Sequence, residues 1–167
     1  MTTAAQTAPD PPPEEIPAPE PPPITPEPPP PPTPLAATMF ESEVITGGEV
    51  NTGVETGQVV SILGNTHPDA MVFTQPNWNS RIQTRHNLGG QYTRLTGIIG
   101  RIDGTGAQQV TYTFTGDGRT LVEHTINATD APVNIDIDVS GITLLIIQVR
   151  SIAHHSTESA VVGTLHR

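Results

Sequence analysis

The sequence of 167 residues contains no cysteine, which excludes disulfides, thiolate zinc sites and cysteine nucleophiles. It also contains no lysine: the seven basic residues are all arginines, beginning at Arg81, against 17 acidic residues. Nucleic acids and anionic membrane surfaces are bound by clustered Lys and Arg. A formal net charge of -10 without a basic patch therefore argues against nucleic-acid binding and against binding to an anionic membrane.

Long apolar runs are missing as well. No stretch reaches the roughly 18 apolar residues that a transmembrane helix needs, so we expect no membrane insertion by this chain. The N-terminus has neither the positive start nor the apolar core of a signal peptide. These residues leave the compartment open.

Proline is concentrated at one end of the chain. All but three of the 19 prolines precede Leu35, and the charged residues of that segment are all acidic. Such a segment cannot bury enough apolar surface to offset its ordering entropy. Residues 1–34 are therefore predicted to be a disordered spacer of polyproline II character, up to about 100 Å long. The alternative is a ligand for proline-reading domains, which the absence of a flanking basic residue disfavours.

Residues 35–167 show the period-two alternation of β-strands and no sustained helical spacing. Val110, Tyr112 and Phe114 alternate with threonines, and the doubly apolar run from Leu144 to Ile147 indicates a central strand. Further strands are predicted at Met39 to Ile45, Gln58 to Leu63, Ala70 to Phe73, Arg81 to Leu88, Arg94 to Ile102, Arg119 to Ile126, Ile135 to Val139 and Ser159 to Leu165. Many short strands predict one antiparallel sandwich or barrel, with a core including Leu95, Ile99, Tyr112, Phe114, Leu121, Ile137, Leu145 and Ile147.

Turn signals separate most of these strands. They stand at Gly47-Gly48, Asn65 through Asp69, Gln75-Pro76-Asn77, Gly89-Gly90, Asp103-Gly104, Gly116-Asp117-Gly118 and Thr129 through Pro132. The stretch from Thr46 to Gly57 has a loose Thr-Gly rhythm. We interpret it as an irregular connection, since a repeat architecture needs at least three similar units.

The order of motifs from Asn87 to Ile142 resembles the NPCBM family of carbohydrate-binding modules. The matching motifs are Asn87-Leu88-Gly89-Gly90-Gln91-Tyr92, Leu95-Thr96-Gly97, Phe114 through Gly118, and Ile137-Asp138-Val139-Ser140-Gly141-Ile142. The resemblance implies a jelly-roll β-sandwich of the galactose-binding type over residues 35–167, and an extracellular or cell-surface location. The sequence departs from the family at Ala160 through Leu165, where a tryptophan and an aspartate are missing.

No catalytic motif of a hydrolase, zinc protease, P-loop enzyme or dinucleotide-binding enzyme is present, so we expect no enzyme activity and no cofactor. Asp136 and Asp138 share one face of a strand, and their alternation with isoleucines indicates the solvent side of an outer strand. The adjacent His154 and His155 are the densest imidazole cluster, but no further ligands are evident near them. The resemblance allows a structural calcium at the loop acids Asp69, Asp103 or Glu158; our prediction is no metal.

Sugar binding usually needs an exposed aromatic ring and planar polar groups. Trp78, the only tryptophan, lies in a polar turn before a strand that carries Arg81 and Arg85. These three residues are the predicted carbohydrate site; the alternative for Trp78 is a plug over one end of the core. Tyr92, Tyr112 and Phe114 are predicted core residues. The sequence thus predicts a non-catalytic module that binds a polysaccharide or glycan, the alternative being a structural domain that binds another protein.

Overall fold

The alternation of apolar and polar residues produces strands with one buried and one exposed face. The computed structural model describes residues 28–46, 53–75, 80–106, 109–152 and 157–167. Its elements are β1 (Thr33–Pro34), a 3-10 turn (Leu35–Thr38), β2 (Met39–Thr46), β3 (Gly53–Ile62), β4 (Asn65–Gln75), β5 (Arg81–Asn87), β6 (Arg94–Arg101), β7 (Gln109–Gly116), β8 (Arg119–Ile126), β9 (Val133–Asp138), β10 (Leu144–Ile152) and β11 (Thr157–His166).

The strands form two antiparallel sheets. One has the order β3-β4-β11-β6-β9, with β1 also paired to β11, and the other has the order β2-β5-β10-β7-β8. The chain crosses between the sheets at every connection except the hairpins β3–β4 and β7–β8, as in a jelly roll. The predicted all-β antiparallel sandwich is confirmed, and β10 is the central strand that its doubly apolar run indicated. Within the described residues no helix is long and apolar enough to cross a membrane.

The core lies between the two sheets and is built from the inward positions of each strand. In β7, Val110, Tyr112 and Phe114 are fully buried, and the residues between them are partly exposed. The predicted core residues are buried, except that Leu121 packs against the cluster while partly exposed. Gly97 of the Leu-Thr-Gly motif pairs with Gly163 of β11. A Cβ at Gly97 would collide with the Val162 carbonyl oxygen, so this close approach of β6 and β11 requires glycine.

The hairpin of β3 and β4 differs from the prediction. The predicted turn at Asn65 through Asp69 is wrong, since these residues lie in β4 and the chain reverses at Leu63-Gly64. Both turn residues have positive φ, 51° and 77°, as a two-residue type I′ turn requires. Pro68 is tolerated because the register of the two strands shifts between Gln58 and Val60, where a bulge removes the need for a regular ladder bond.

The predicted irregular connection from Thr46 to Gly57 is also wrong in part. β3 already begins at Gly53, and residues 47–52 lie outside the described residues. The outer face of this sheet also buries apolar side chains of β3 and β4. A second apolar cluster forms there, made of Val60, Ile62, Ala70, Val72 and Ala160.

The sheet begins slightly before the predicted boundary at residue 35. Thr33 and Pro34 pair with Leu165 and Thr164 of β11, and Leu35 is fully buried in the main core. The predicted spacer falls mostly on residues 1–27, which lie outside the described residues.

Candidate functional site

The segment that holds Trp78, residues 76–79, lies outside the described residues, but the strands on both sides of it are described. β4 ends at Gln75, which pairs with Thr157 at the start of β11. β5 begins at Arg81, which pairs with Arg150 near the end of β10. Residues 76–79 and 153–156 therefore connect strand ends that lie at the same end of the sandwich. We call the strand ends at Gln75, Arg81, Arg150 and Thr157 the site end.

The interior becomes polar at the site end. Along β4 and β10, the inward residues change from apolar to polar as the strands approach the site end. All of them are fully buried: Met71, Phe73 and Gln75 in β4, and Ile147, Val149 and Ser151 in β10. The Gln75 amide and the Ser151 hydroxyl have no hydrogen-bond partner among the described residues. Buried polar groups without partners cost stability, so apolar packing alone does not account for these two residues.

Sequence reasoning missed Gln75 and Ser151. The signal was present in the alternation itself, because each strand pattern continues by one inward position into a polar residue. That signal identifies the end of the sandwich where the interior is polar, but it does not identify a ligand.

Arg81 and Arg85 both lie on the outer face of β5. The residues between and after them, Ile82, Thr84 and His86, point inward and are fully buried. Arg85 is engaged by β2: its guanidinium lies 3.2 Å from Glu41 Oε2 and 3.7 Å from Glu43 Oε2. Arg81, in contrast, makes no ion pair with a described residue, and its Nε atom is buried without a partner there. The structure thus separates the two arginines: Arg81 is at the site end, and Arg85 is held further along the strand.

The outer face of the five-stranded sheet carries a row of polar residues that crosses all five strands. One row of directly opposed residues consists of Glu43, Gln83, Gln148, Thr113 and Glu123. Within it, Gln83 Nε2 donates to Glu43 Oε2 at 2.9 Å, and Thr113 Oγ1 donates to Glu123 Oε2 at 3.0 Å. Arg81, Arg150, Thr111 and Thr125 form part of the next row, where the two threonine hydroxyls are 3.0 Å apart. This face presents hydrogen-bonding groups in a regular array.

Exposed aromatic rings are scarce on the described surface. Tyr92, Tyr112 and Phe114 are buried, which confirms them as core residues, and the Tyr112 hydroxyl donates to the Gly100 carbonyl oxygen at 2.9 Å. Burial raises the pKa of Tyr112 well above its usual value. Phe40 in β2 is the one large aromatic side chain exposed among the described residues, at 59%. A stacking platform at the site end would therefore have to come from Trp78.

Among the acidic residues considered as metal ligands, Asp103 has a structural role. Asp103 accepts hydrogen bonds from Ser61 Oγ at 2.6 Å, from Leu63 N at 2.9 Å and from Gly64 N at 2.8 Å. These hydrogen bonds lower the pKa of the Asp103 carboxyl, and the bond from Ser61 has the largest effect. The carboxylate therefore holds the tip of the β3–β4 hairpin. No group of three or more His, Asp or Glu side chains that could hold a metal occurs among the described residues; His154 and His155 lie outside them.

Asp136 and Asp138 lie on the exposed face of β9, the outer strand of its sheet, as the sequence indicated. Asp136 accepts two hydrogen bonds from the Arg94 guanidinium, at 2.7 and 2.5 Å. The Asp138 side chain accepts from the Ser140 backbone N–H at 2.9 Å. Each carboxylate therefore has a structural partner.

The sequence matches a known protein family over about half of its length. The family model described as the NPCBM/NEW2 domain matches residues 77–161. The matched region contains Trp78, the whole of β5 and β10, and the start of β11. No curated protein matches the sequence significantly.

Solved structures of similar fold include several modules named CBM51. A structure of CBM51-2 in complex with GlcNAc and INT domains from Clostridium perfringens ZmpB has a TM-score of 0.63 at 11% identity, covering 83% of this chain and 32% of that one. CBM51 from Clostridium perfringens GH95, in complex with methyl-galactose, has a TM-score of 0.60 at 10% identity, covering 80% and 99%. Tandem CBM51 modules of Sp3GH98 from Streptococcus pneumoniae SP3-BS71 have a TM-score of 0.61 at 10% identity, covering 81% and 47%. This chain thus spans about a third of the ZmpB fragment and nearly all of the single GH95 module, and at such identities the likeness concerns the fold.

Proposed function

The chain belongs to the NPCBM/NEW2 domain family, and from this membership we propose that it is a non-catalytic module that binds a polysaccharide or glycan. The family match over residues 77–161 is the observation that carries the proposal. Structures of the same fold have been solved with GlcNAc and with methyl-galactose, which makes these sugars the first ligands to test. The Pro-rich residues before the sandwich would act as a spacer that displays it.

We place the sugar at the site end, on Trp78 and Arg81. An indole ring supplies an apolar face for stacking on a pyranose, and a guanidinium supplies planar donors for ring hydroxyls. Arg81 follows the Trp78 segment directly after the buried Ser80, and no described carboxylate is ion-paired with it. The polar interior at Gln75 and Ser151 lies beneath the same strand ends.

Arg85 takes a lesser part in this proposal. It lies four positions beyond Arg81 on β5, which is about 13 Å along a strand. Its guanidinium already faces Glu41 and Glu43. A ligand that contacts both arginines would therefore have to be longer than a monosaccharide.

Binding to a glycan array and to insoluble polysaccharides tests the proposal. We expect the intact chain to bind at least one glycan, and Trp78→Ala to weaken that binding by about tenfold to a hundredfold while the far-ultraviolet spectrum and melting temperature stay unchanged. Phe40→Ala is the matched control, since it also removes an aromatic ring, one that is exposed on β2. Unchanged binding by Trp78→Ala would place the site elsewhere, and loss of folding would make Trp78 a core plug.

A second candidate function, binding to another protein, is favoured by one observation. β2 is an edge strand and exposes two large apolar side chains, Phe40 at 59% and Ile45 at 38%. Exposed apolar residues on a strand edge are typical of protein contacts. If no glycan binds and Phe40→Ala abolishes capture of a protein partner, this second function replaces the first.

A further inference from the structure

Two arginines face each other on neighbouring strands at the site end. Arg81 of β5 and Arg150 of β10 are directly opposed in the antiparallel register. Both lie on the outer face, because the adjacent residues Ile82 and Val149 are fully buried. Directly opposed side chains of an antiparallel pair have Cβ atoms about 4.5–5.5 Å apart. The register therefore places the two arginine side chains side by side on the outer face of the sheet.

This pairing is unusual for the chain in which it occurs. Only seven basic residues accompany 17 acidic ones, and like charges directly opposed on a sheet are destabilising. Arg85 and Arg94 are each paired with carboxylates, Arg85 with Glu41 and Arg94 with Asp136. Arg81 has no such partner in the described part of the chain, and its buried Nε atom donates to none there. Within the described residues, no carboxylate therefore offsets the charge of Arg81.

Planar amides continue the array next to the two arginines. Gln83 and Gln148 are likewise directly opposed, two positions along the same strands and on the same face. Gln83 Nε2 donates to Glu43 Oε2 at 2.9 Å, which fixes its amide. Together the four side chains form a square of two guanidinium and two amide groups, partly exposed and bordered at the site end by the strand ends that flank Trp78.

We propose that the Arg81–Arg150 pair binds the carboxylate or sulfate group of an acidic sugar, with Gln148 reading a neighbouring hydroxyl. The proposal rests on the proposed function and names its ligand class. A guanidinium matches the two oxygens of a carboxylate or sulfate with parallel hydrogen bonds, and two adjacent guanidinium groups compensate a full negative charge better than one. An anion between the arginines would also remove their mutual repulsion.

Binding of matched acidic and neutral polymers to the intact chain tests this inference. The first pair of probes is polygalacturonate and its methyl ester, and the second is dextran sulfate and dextran; the two members of each pair share a backbone and differ in whether it carries the acidic group. We expect at least one acidic polymer to bind about tenfold or more tightly than its neutral partner. The pair that shows the difference distinguishes carboxylate from sulfate recognition. Polyglutamate is the probe for an acidic peptide, and equally tight binding of it would overturn the assignment to sugars.

Three substitutions locate the effect. Arg81→Gln and Arg150→Gln should each lower affinity for the acidic polymer by about tenfold. Arg119→Gln is the control, because it removes the same charge from the exposed end of β8. It should change affinity less than about twofold, since at that distance the charge affects the ligand only through the screened long-range electrostatic field. Arg81→Lys should restore part of the loss, because charge is kept but the planar fork is not.

The outcomes separate this inference from the proposed function. If neutral and acidic polymers bind alike and Trp78→Ala still abolishes binding, the module binds carbohydrate but the arginine pair has no role in it. If Arg119→Gln weakens binding as much as Arg81→Gln, the effect is general electrostatics and the assigned site is wrong. If no polymer of either charge binds but the glycan array shows a neutral ligand, the assignment of an acidic sugar fails and the proposed function stands; if the array also shows no ligand, both fail.

Discussion

At the scale of single residues, His86 is the buried group whose ionisation bears most directly on stability. Its Nδ1 lies 3.3 Å from the Leu35 carbonyl oxygen and 3.2 Å from Thr38 Oγ1, and its Nε2 lies 2.9 Å from Thr84 Oγ1. A carbonyl oxygen only accepts hydrogen bonds, so this network assigns the proton to Nδ1 and makes Nε2 the acceptor from Thr84. Burial lowers the pKa of His86 to about 4, so the ring is neutral in the folded protein.

Stability should therefore fall as the pH decreases from 6.5 to 4. The unfolded chain protonates this ring near the ordinary pKa of 6.5, but the folded chain does so only near pH 4, so acid favours unfolding. The stabilisation is fully present above pH 6.5, and up to about 3 kcal/mol of it is lost by pH 4. Urea denaturation of the wild type and His86→Gln across this range measures the effect. The same pH dependence in both proteins would contradict it.

At the scale of elements, the β3–β4 hairpin is held by one carboxylate. Asp103 accepts hydrogen bonds from Ser61, Leu63 and Gly64 at the hairpin tip, and Asp103 N–H donates to the Ser61 carbonyl oxygen at 2.9 Å. The hairpin contributes Val60 and Ile62 to the second apolar cluster. The hydrogen bonds that lower the pKa of Asp103 therefore also fix the tip of this hairpin.

We expect Asp103→Ala to loosen the hairpin tip without unfolding the sandwich. The amides of Leu63 and Gly64 lose their acceptor, so their hydrogen exchange should become about tenfold faster or more, while core amides of β7 and β10 stay protected. Glu55→Ala serves as the control, because it removes an exposed carboxylate from the same hairpin. If exchange at Leu63 and Gly64 were unchanged, the carboxylate would not be what holds the tip.

The strands and the core were largely predictable from the sequence because they depend on local alternation. Every predicted strand occurs, and the inward residues of β7 and β10 are the predicted ones. The errors lie where a local signal is overridden by pairing: Pro68 and Asp69 predict a turn, but a bulge keeps them in β4. The short β1 strand was missed because its two residues pair only with β11, at the far end of the chain.

The candidate site was less predictable than the fold. Trp78 and Arg81 could be nominated from composition and spacing, because one tryptophan beside a strand start is visible in the sequence. The pairing of Arg81 with Arg150 could not be predicted, because it depends on the register between two strands that are far apart in the chain. The ion pairs that occupy Arg85 depend on β2 for the same reason.

At the scale of the whole molecule, we propose that the sandwich folds independently of the Pro-rich residues. A chain that begins at residue 28 should melt at the same temperature as the full chain, because β1 and Leu35 are retained. A chain that begins at Met39 loses the fully buried Leu35. It should melt about 10 °C lower, since losing a buried leucine costs about 2–5 kcal/mol.

Calorimetry of these three chains, with Leu35→Ala as a single-residue check, measures the boundary. If the chain that begins at residue 28 melts at a lower temperature than the full chain, our account is contradicted, because the preceding prolines would then contribute to the stability of the fold.

The central claim is that a sugar binds at the site end, and the most direct measurement is a titration followed by amide resonances of the ¹⁵N-labelled protein. Methyl-galactose, GlcNAc and galacturonic acid are added separately, each up to millimolar concentration. We expect at least one sugar to shift the amides of Ser80 to Gln83 and of Gln148 to Ile152, with little change at the opposite turns, Gly89-Gly90 and Asp117-Gly118. Shifts confined to those opposite turns, or no shift with any of the three sugars, would contradict the account.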